Sequence, residues 1–106
     1  MKYQVRLVTA AEADIESAFN WYQSERFGLG LEFLAEMYAA FDSLEENPLK
    51  YQIQKSDIRR MLVRRFPYAL YYLVENDLVT IIAVLHAARN PKSWQRRPGH
   101  WVSESE

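Results

Sequence analysis

The stretch Ile58-Arg59-Arg60-Met61-Leu62-Val63-Arg64-Arg65-Phe66-Pro67-Tyr68-Ala69-Leu70-Tyr71-Tyr72-Leu73, continued by Val74-Glu75-Asn76-Asp77 and the apolar run Leu78 to Leu85, decides the fold. It reads as three strands in succession. Ile58 to Phe66 alternates, placing Arg60, Leu62, Arg64 and Phe66 on one face and Arg59, Met61, Val63 and Arg65 on the other. Pro67 cannot donate to a ladder, so a turn or bulge falls there. Tyr68 to Val74 resumes the extended pattern, and Asn76-Asp77 suits the positive-φ geometry of a tight hairpin. Leu78 to Leu85 is apolar everywhere but Thr80, the pattern of a strand covered on both sides, and is expected at the middle of the sheet.

Working outward, Tyr3, Val5 and Leu7 alternate with Gln4 and Arg6, which predicts a half-buried strand. Thr9 followed by Glu12 has the form of a capping box, so a helix is expected from Ala10 or Ala11, with Ala11, Ile15, Ala18, Phe19 and Tyr22 as its apolar stripe. Gly28 and Gly30 punctuate the chain. A second helix is predicted from about Leu29 to Glu46 with Phe33, Leu34, Met37, Phe41 and Leu44 facing the core, stopped by Asn47-Pro48. Residues 49–57 read as a loop with Leu49 and Tyr51 plugged into the core. Downstream, Lys92 to Arg97 forms either a short helical turn or a segment along the sheet. The expected class is α+β in the order β-α-α-β-β-β, a helical hairpin packed on a mostly antiparallel sheet. One domain is expected over 1–98, with a flexible tail at 99–106.

The chain has 106 residues, 49% of them hydrophobic and 25% charged, with no cysteine. That composition belongs to a globular domain and excludes a disulfide framework and a thiolate metal site. With no long apolar run and no signal-peptide pattern, a soluble cytoplasmic protein is expected. The net charge of −1 conceals a division: residues 1–58 carry −5 and residues 59–97 carry +6. Two readings fit this segregation, an anionic partner for the C-terminal half or a solvated sheet edge beside acidic helices.

Little in the sequence points to bond-making chemistry. His86 and His100 stand apart with no carboxylate at ligand spacing, so no metal is expected. The three glycines form no phosphate loop, and Gly28-Leu29-Gly30 reads as the turn of the helical hairpin. Glu45-Glu46 reads as a solvated helix end. The arginines are more telling, since each carries a fixed, permanently charged fork suited to phosphate or carboxylate. Arg60 and Arg64 are expected on one face of one strand, with His86 and Arg89 at the end of another and Trp94, Arg96 and Arg97 following. His86 reads either as an acid or base or as a half-buried strand-end residue with a backbone partner.

Ile58-Arg59-Arg60, Val63-Arg64-Arg65-Phe66-Pro67-Tyr68, Tyr71-Tyr72 and Val84-Leu85-His86-Ala87-Ala88-Arg89-Asn90-Pro91 with Trp94 together resemble the RelE/ParE superfamily of bacterial toxins. These are the toxin halves of type II toxin–antitoxin modules. The upstream strand, the acidic helix ending Asn20-Trp21-Tyr22 and the helix stopped by Pro48 match as well, so the likeness covers nearly the whole chain. It implies a cognate antitoxin, a toxin–antitoxin hetero-oligomer and no cofactor. Within the superfamily, RelE-like members cut messenger RNA in the ribosome with basic residues on the sheet face, whereas ParE-like members inhibit DNA gyrase without cutting RNA. Arg60 and Arg89 match basic positions of the RelE type. Leu62 and Ala69 fall where two further cations would stand, and Trp94 and Gln95 occupy the region of a tyrosine.

These departures favour the ParE and plasmid-stabilisation branch, a binding inhibitor of gyrase rather than an enzyme. Arg60, Arg64, His86, Arg89, Trp94, Arg96 and Arg97 would then meet the target, and Trp21, Phe27 and Tyr38 the antitoxin, unless those three aromatics merely cap the core. The rival is a ribosome-dependent endoribonuclease using Arg60, Arg64, His86 and Arg89. A third reading is a decayed toxin that only binds antitoxin.

Overall fold

The computed structural model describes residues 2–89 and 92–96. Strand β1 (Gln4–Leu7) leads into helices α1 (Thr9–Glu25) and α2 (Leu29–Glu46). After a 3-10 turn at Pro48–Lys50 come β2 (Ile53–Lys55), β3 (Ile58–Leu62), β4 (Tyr68–Glu75) and β5 (Leu78–His86), then a second 3-10 turn at Ser93–Arg96. The sheet runs β1-β5-β4-β3-β2, with β1 parallel to β5 and every other pair antiparallel. The helical hairpin and mostly antiparallel sheet are therefore as expected, with one strand more. Within the sheet β4 is central and β5 lies beside it, both buried along most of their length.

The extra strand, β2, falls inside the expected loop. Its three residues are all exposed and form one edge of the sheet, so no burial pattern marks them. Leu49, expected to be buried, is 51% exposed, while Tyr51 packs against the core. The segment is held instead by polar groups: Arg59 Nη1 donates to the carbonyls of Leu49 and Tyr51 at 3.0 and 2.6 Å, and the buried Tyr72 hydroxyl donates to the Pro48 carbonyl at 2.6 Å. Burial pushes the Tyr72 phenol well above its ordinary pKa, so it remains a donor.

Helix α1 starts at Thr9, one residue earlier than expected. Val8 is its cap and no side-chain cap bond forms; the Val8 carbonyl accepts from the Ala11 and Glu12 amides. Of the predicted stripes, Ala11, Ala18 and Tyr22 in α1 and Phe33, Met37 and Leu44 in α2 are buried, while Ile15, Phe19, Leu34 and Phe41 are half-buried at their margins. The turn between them depends on both glycines. Gly28 has φ +92°, a left-handed conformation that disfavours a side chain, and a Cβ on Gly30 would stand 2.8 Å from the backbone oxygen of Phe19. Gln23 fastens this close approach, its Oε1 accepting from the amides of Gly28 and Gly30 at 3.0 and 2.8 Å.

The β3–β4 corner also departs from expectation. Strand β3 ends at Leu62, not Phe66; the Val63 amide donates to the Tyr68 carbonyl and the Tyr68 amide to the Phe66 carbonyl. Arg65 lies within this corner at φ +69°, an arrangement that costs a non-glycine residue about 1–2 kcal/mol. Its guanidinium compensates by pairing with Glu32 at 2.9 Å and Glu36 at 3.7 Å on α2. That hydrogen bond from Arg65, helped by Arg26, holds the Glu32 carboxyl below its usual pKa. Asn76, at φ +56°, makes the β4–β5 hairpin as its sequence suggested.

Two apolar layers result. On the helix-covered face, Tyr22, Phe33, Met37, Leu44, Met61, Phe66, Leu70 and Tyr72 form the larger core. On the opposite face, Ile58, Ala69, Tyr71, Leu73, Ile82, Leu85 and Trp94 form a second, thinner one.

Candidate functional site

The end of β3 decides which face each arginine reaches. Arg60 pairs across the hairpin with Tyr71, and Leu62 with Ala69; these four share the open face with Ile58. Past Leu62 the strand period no longer applies. Arg64 turns toward the helices and lines a shallow groove with Glu36, Ala39, Ala40, Ser43 and Met61. Arg60 and Arg64, expected on one face, are thus on opposite sides of the sheet. Arg65 is committed to α2.

His86 and Arg89 belong to a third place, a cleft of about 230 Å³ between α1 and the ends of β4 and β5, lined also by Asp14, Ser17, Trp21 and Tyr68. The His86 Nδ1 accepts from the amides of Ala88 and Arg89, each at 3.1 Å, so the ring closes the turn after β5. The imidazole also meets Tyr68 edge to face at 5.5 Å. Burial raises the pKa values of the Tyr22 and Tyr68 phenols, while the charge of Arg89 opposes the rise at both. The guanidinium therefore faces an aromatic wall whose hydroxyls stay protonated.

Asp14 closes the cleft from the helix side. Strand β1 pairs with β5 only as far as Ile81, so the Val84 amide has no β1 partner; Asp14 Oδ2 accepts it at 2.9 Å. Asp14 lies three residues after Ala11 and four before Ala18. Its spacing from Ala11 and Ala18 places it at the border of the buried stripe, and that is the signal that marks it.

A second concavity opens on the other face. Its volume is about 430 Å³, and Gln54, Lys55, Arg60, Tyr71, Lys92, Trp94 and Gln95 line it. Trp94, expected to meet a target, is 4% exposed and stacks on Tyr71 at 5.2 Å between ring centroids, so it forms the floor and offers little surface. Lys55, Tyr71 and Lys92 were not foreseen here; the hairpin register that sets Arg60 against Tyr71 would have indicated the second.

The remaining expected residues are dispersed. Arg96 is exposed on the second 3-10 turn, and Arg97 lies outside the described residues, as do His100 and the rest of the expected tail. Trp21 is 49% exposed at the cleft, whereas Phe27 at 88% and Tyr38 at 62% stand on the hairpin away from it. Among the described residues no three metal-ligating side chains cluster, and no helix is long and apolar enough to cross a membrane.

This architecture has known counterparts. The family model for the ParE toxin of the type II toxin–antitoxin system parDE matches residues 5–91. The chain belongs to the ParE toxin family. It is accordingly a toxin of a type II toxin–antitoxin system, of the ParE/RelE kind. Among solved structures, the chromosomal ParDE system from P. aeruginosa has a TM-score of 0.72 at 12% identity, over 80% of this chain and 96% of that one. The RelBE2 toxin–antitoxin complex from Mycobacterium tuberculosis has a TM-score of 0.60 at 25% identity, over 81% and 99%. Both show the ParE/RelE fold for this toxin. No curated protein matches its sequence.

Proposed function

We propose that this toxin acts by binding DNA gyrase, without cutting RNA, and that a cognate antitoxin neutralises it. The observation that supports binding over cleavage is the dispersal of the would-be nuclease set. Arg60 is on the open face, Arg64 beside α2, and His86 with Arg89 in the cleft at the sheet's end. Stabilising a developing phosphorane takes several cations converging on one phosphate, and loss of a single such donor costs about 10²–10³ in rate. The cross-strand pair Leu62 and Ala69 adds no charge to the open face. His86 Nδ1 is meanwhile occupied by two backbone amides.

The cleft has the character of a docking point: an exposed indole, a phenol and a guanidinium around a concavity, the residue types that anchor protein interfaces. The antitoxin is proposed to cover the helical hairpin. Phe27, Leu31 and Tyr38 are exposed there, and Leu31 and Tyr38, seven residues apart on α2, share one helix face, as an amphipathic partner helix requires.

The test runs two assays on the purified toxin, gyrase supercoiling and messenger RNA cleavage on translating ribosomes. Inhibited supercoiling with intact RNA is expected, and Arg89→Glu should raise the half-inhibitory concentration by about tenfold or more. Cleavage in the ribosome with unaffected gyrase overturns the proposal. Blank assays with retained antitoxin binding overturn it in favour of a decayed toxin.

A further inference from the structure

The open-face concavity is not used by the cleft or by the helical hairpin. Three cations line it, Lys55, Arg60 and Lys92, and among the described residues no acid does. Arg60 Nε is buried there, and among the described residues nothing accepts its hydrogen. That nitrogen is closed to solvent, so the guanidinium meets a ligand through its terminal N–H groups. The stacked rings of Tyr71 and Trp94 form an apolar floor beneath it.

From this we infer that the pocket receives a carboxylate side chain from a partner polypeptide. Arginine also presents its two terminal nitrogens side by side, a fork that fits the two oxygens of a carboxylate. The aromatic floor suits the methylene stem of a glutamate, and Lys55 and Lys92 complement its charge. A nucleic-acid strand fits less well, because it needs a track of cations and the neighbouring positions are Leu62, Ala69 and Leu73. Leu62, two residues from Arg60 on the same strand and face, is 58% exposed. Two residues of strand span about 7 Å, so the surface matches an extended acid-x-aliphatic motif. The reading of the chain as an antitoxin-bound toxin enters only in naming the antitoxin as the natural source of that segment.

The test follows the indole N–H resonance of Trp94 by NMR in the full-length toxin. The probes are a blocked Ser-Glu-Ala-Leu-Ser pentapeptide, its Gln counterpart and an oligouridylate. The Glu peptide should shift the resonance with an affinity about tenfold or more above the Gln peptide, and Arg60→Met should remove that difference while leaving the fold's spectrum intact. Arg89→Gln should leave it unchanged. Equal response to both peptides, or a response to oligouridylate alone, overturns the inference. So does a Trp94 shift in Glu104→Gln/Glu106→Gln without added peptide, which would make the toxin's own acids the occupant. Gyrase takes no part, so failure here and failure of the proposed function are read separately.

Discussion

The two faces of one sheet are buried by different means. The helix-covered face is closed by two helices and an aromatic cluster in which Phe33 lies 5.4 Å from Tyr22, Phe66 and Tyr68. The open face is closed in part by one short 3-10 turn whose contribution is Trp94 on Tyr71. The first face places each large ring against several others and opens at its margins, at the His86–Arg89 cleft and the Arg64 groove. The second leaves a charged concavity beside a thin apolar layer. Stability concentrates where packing is thick, and recognition becomes available where it is thin.

Deleting one ring from each layer tests that contrast most strongly. Phe33→Ala removes a side chain with no exposed surface from the thick layer and should cost about 3–5 kcal/mol in urea unfolding. Trp94→Ala removes a larger ring from the thin one, where solvent can fill the space, and should cost only about 2 kcal/mol. If the two losses are equal, the open face is as much a core as the covered one.

Smaller effects sharpen the same boundary. Asp14→Ala leaves the Val84 amide without its acceptor and should cost about 1 kcal/mol, with faster hydrogen exchange at Val84 but not at Ile81. The smallest effect concerns pH. Because Arg65 holds Glu32 below its ordinary value of 4.5, the stabilisation is fully present above that value and is lost as pH falls through the lower folded one. The groups are exposed, so the loss is slight; it should appear as a small drop in Tm on acidification that Glu32→Gln abolishes.

Much of the covered face was legible in the sequence because its signals are periodic or continuous. The stripes from Ala11 to Tyr22 and from Phe33 to Leu44 repeat at helical spacing, and the apolar run from Leu78 to Leu85, interrupted just at Thr80, marks a strand covered on both sides. The open face was less so. Strand β2 has three exposed residues and owes its extension to an unburied edge pairing with β3. Alternation was carried from Arg60 to Arg64 across a corner where Arg65 adopts a left-handed conformation, and a strand period loses its meaning at such a residue. Trp94 was read by its basic neighbours, yet its place follows from Tyr71, which is distant in sequence and adjacent only through the fold. The cleft stands between these cases: His86 and Arg89 were expected together, but that Trp21 joins them depends on how α1 crosses β5.

The parallel pairing of β1 with β5 also orders events during synthesis. Arg6 in β1 bonds Thr80 in β5, 74 residues later. At about 5–20 residues per second, the first strand exists for roughly 4–15 s before its neighbour is made. Until then β1 has no strand beside it, and the inner stripes of both helices have just the β2–β4 part of the sheet to cover. A chain stopped before Leu78 leaves β1 without the strand that pairs with it and the central strand β4 open on one side. Among the described residues, the last strand to be made is therefore the one that joins β1 to the rest of the sheet, and the fold is settled late.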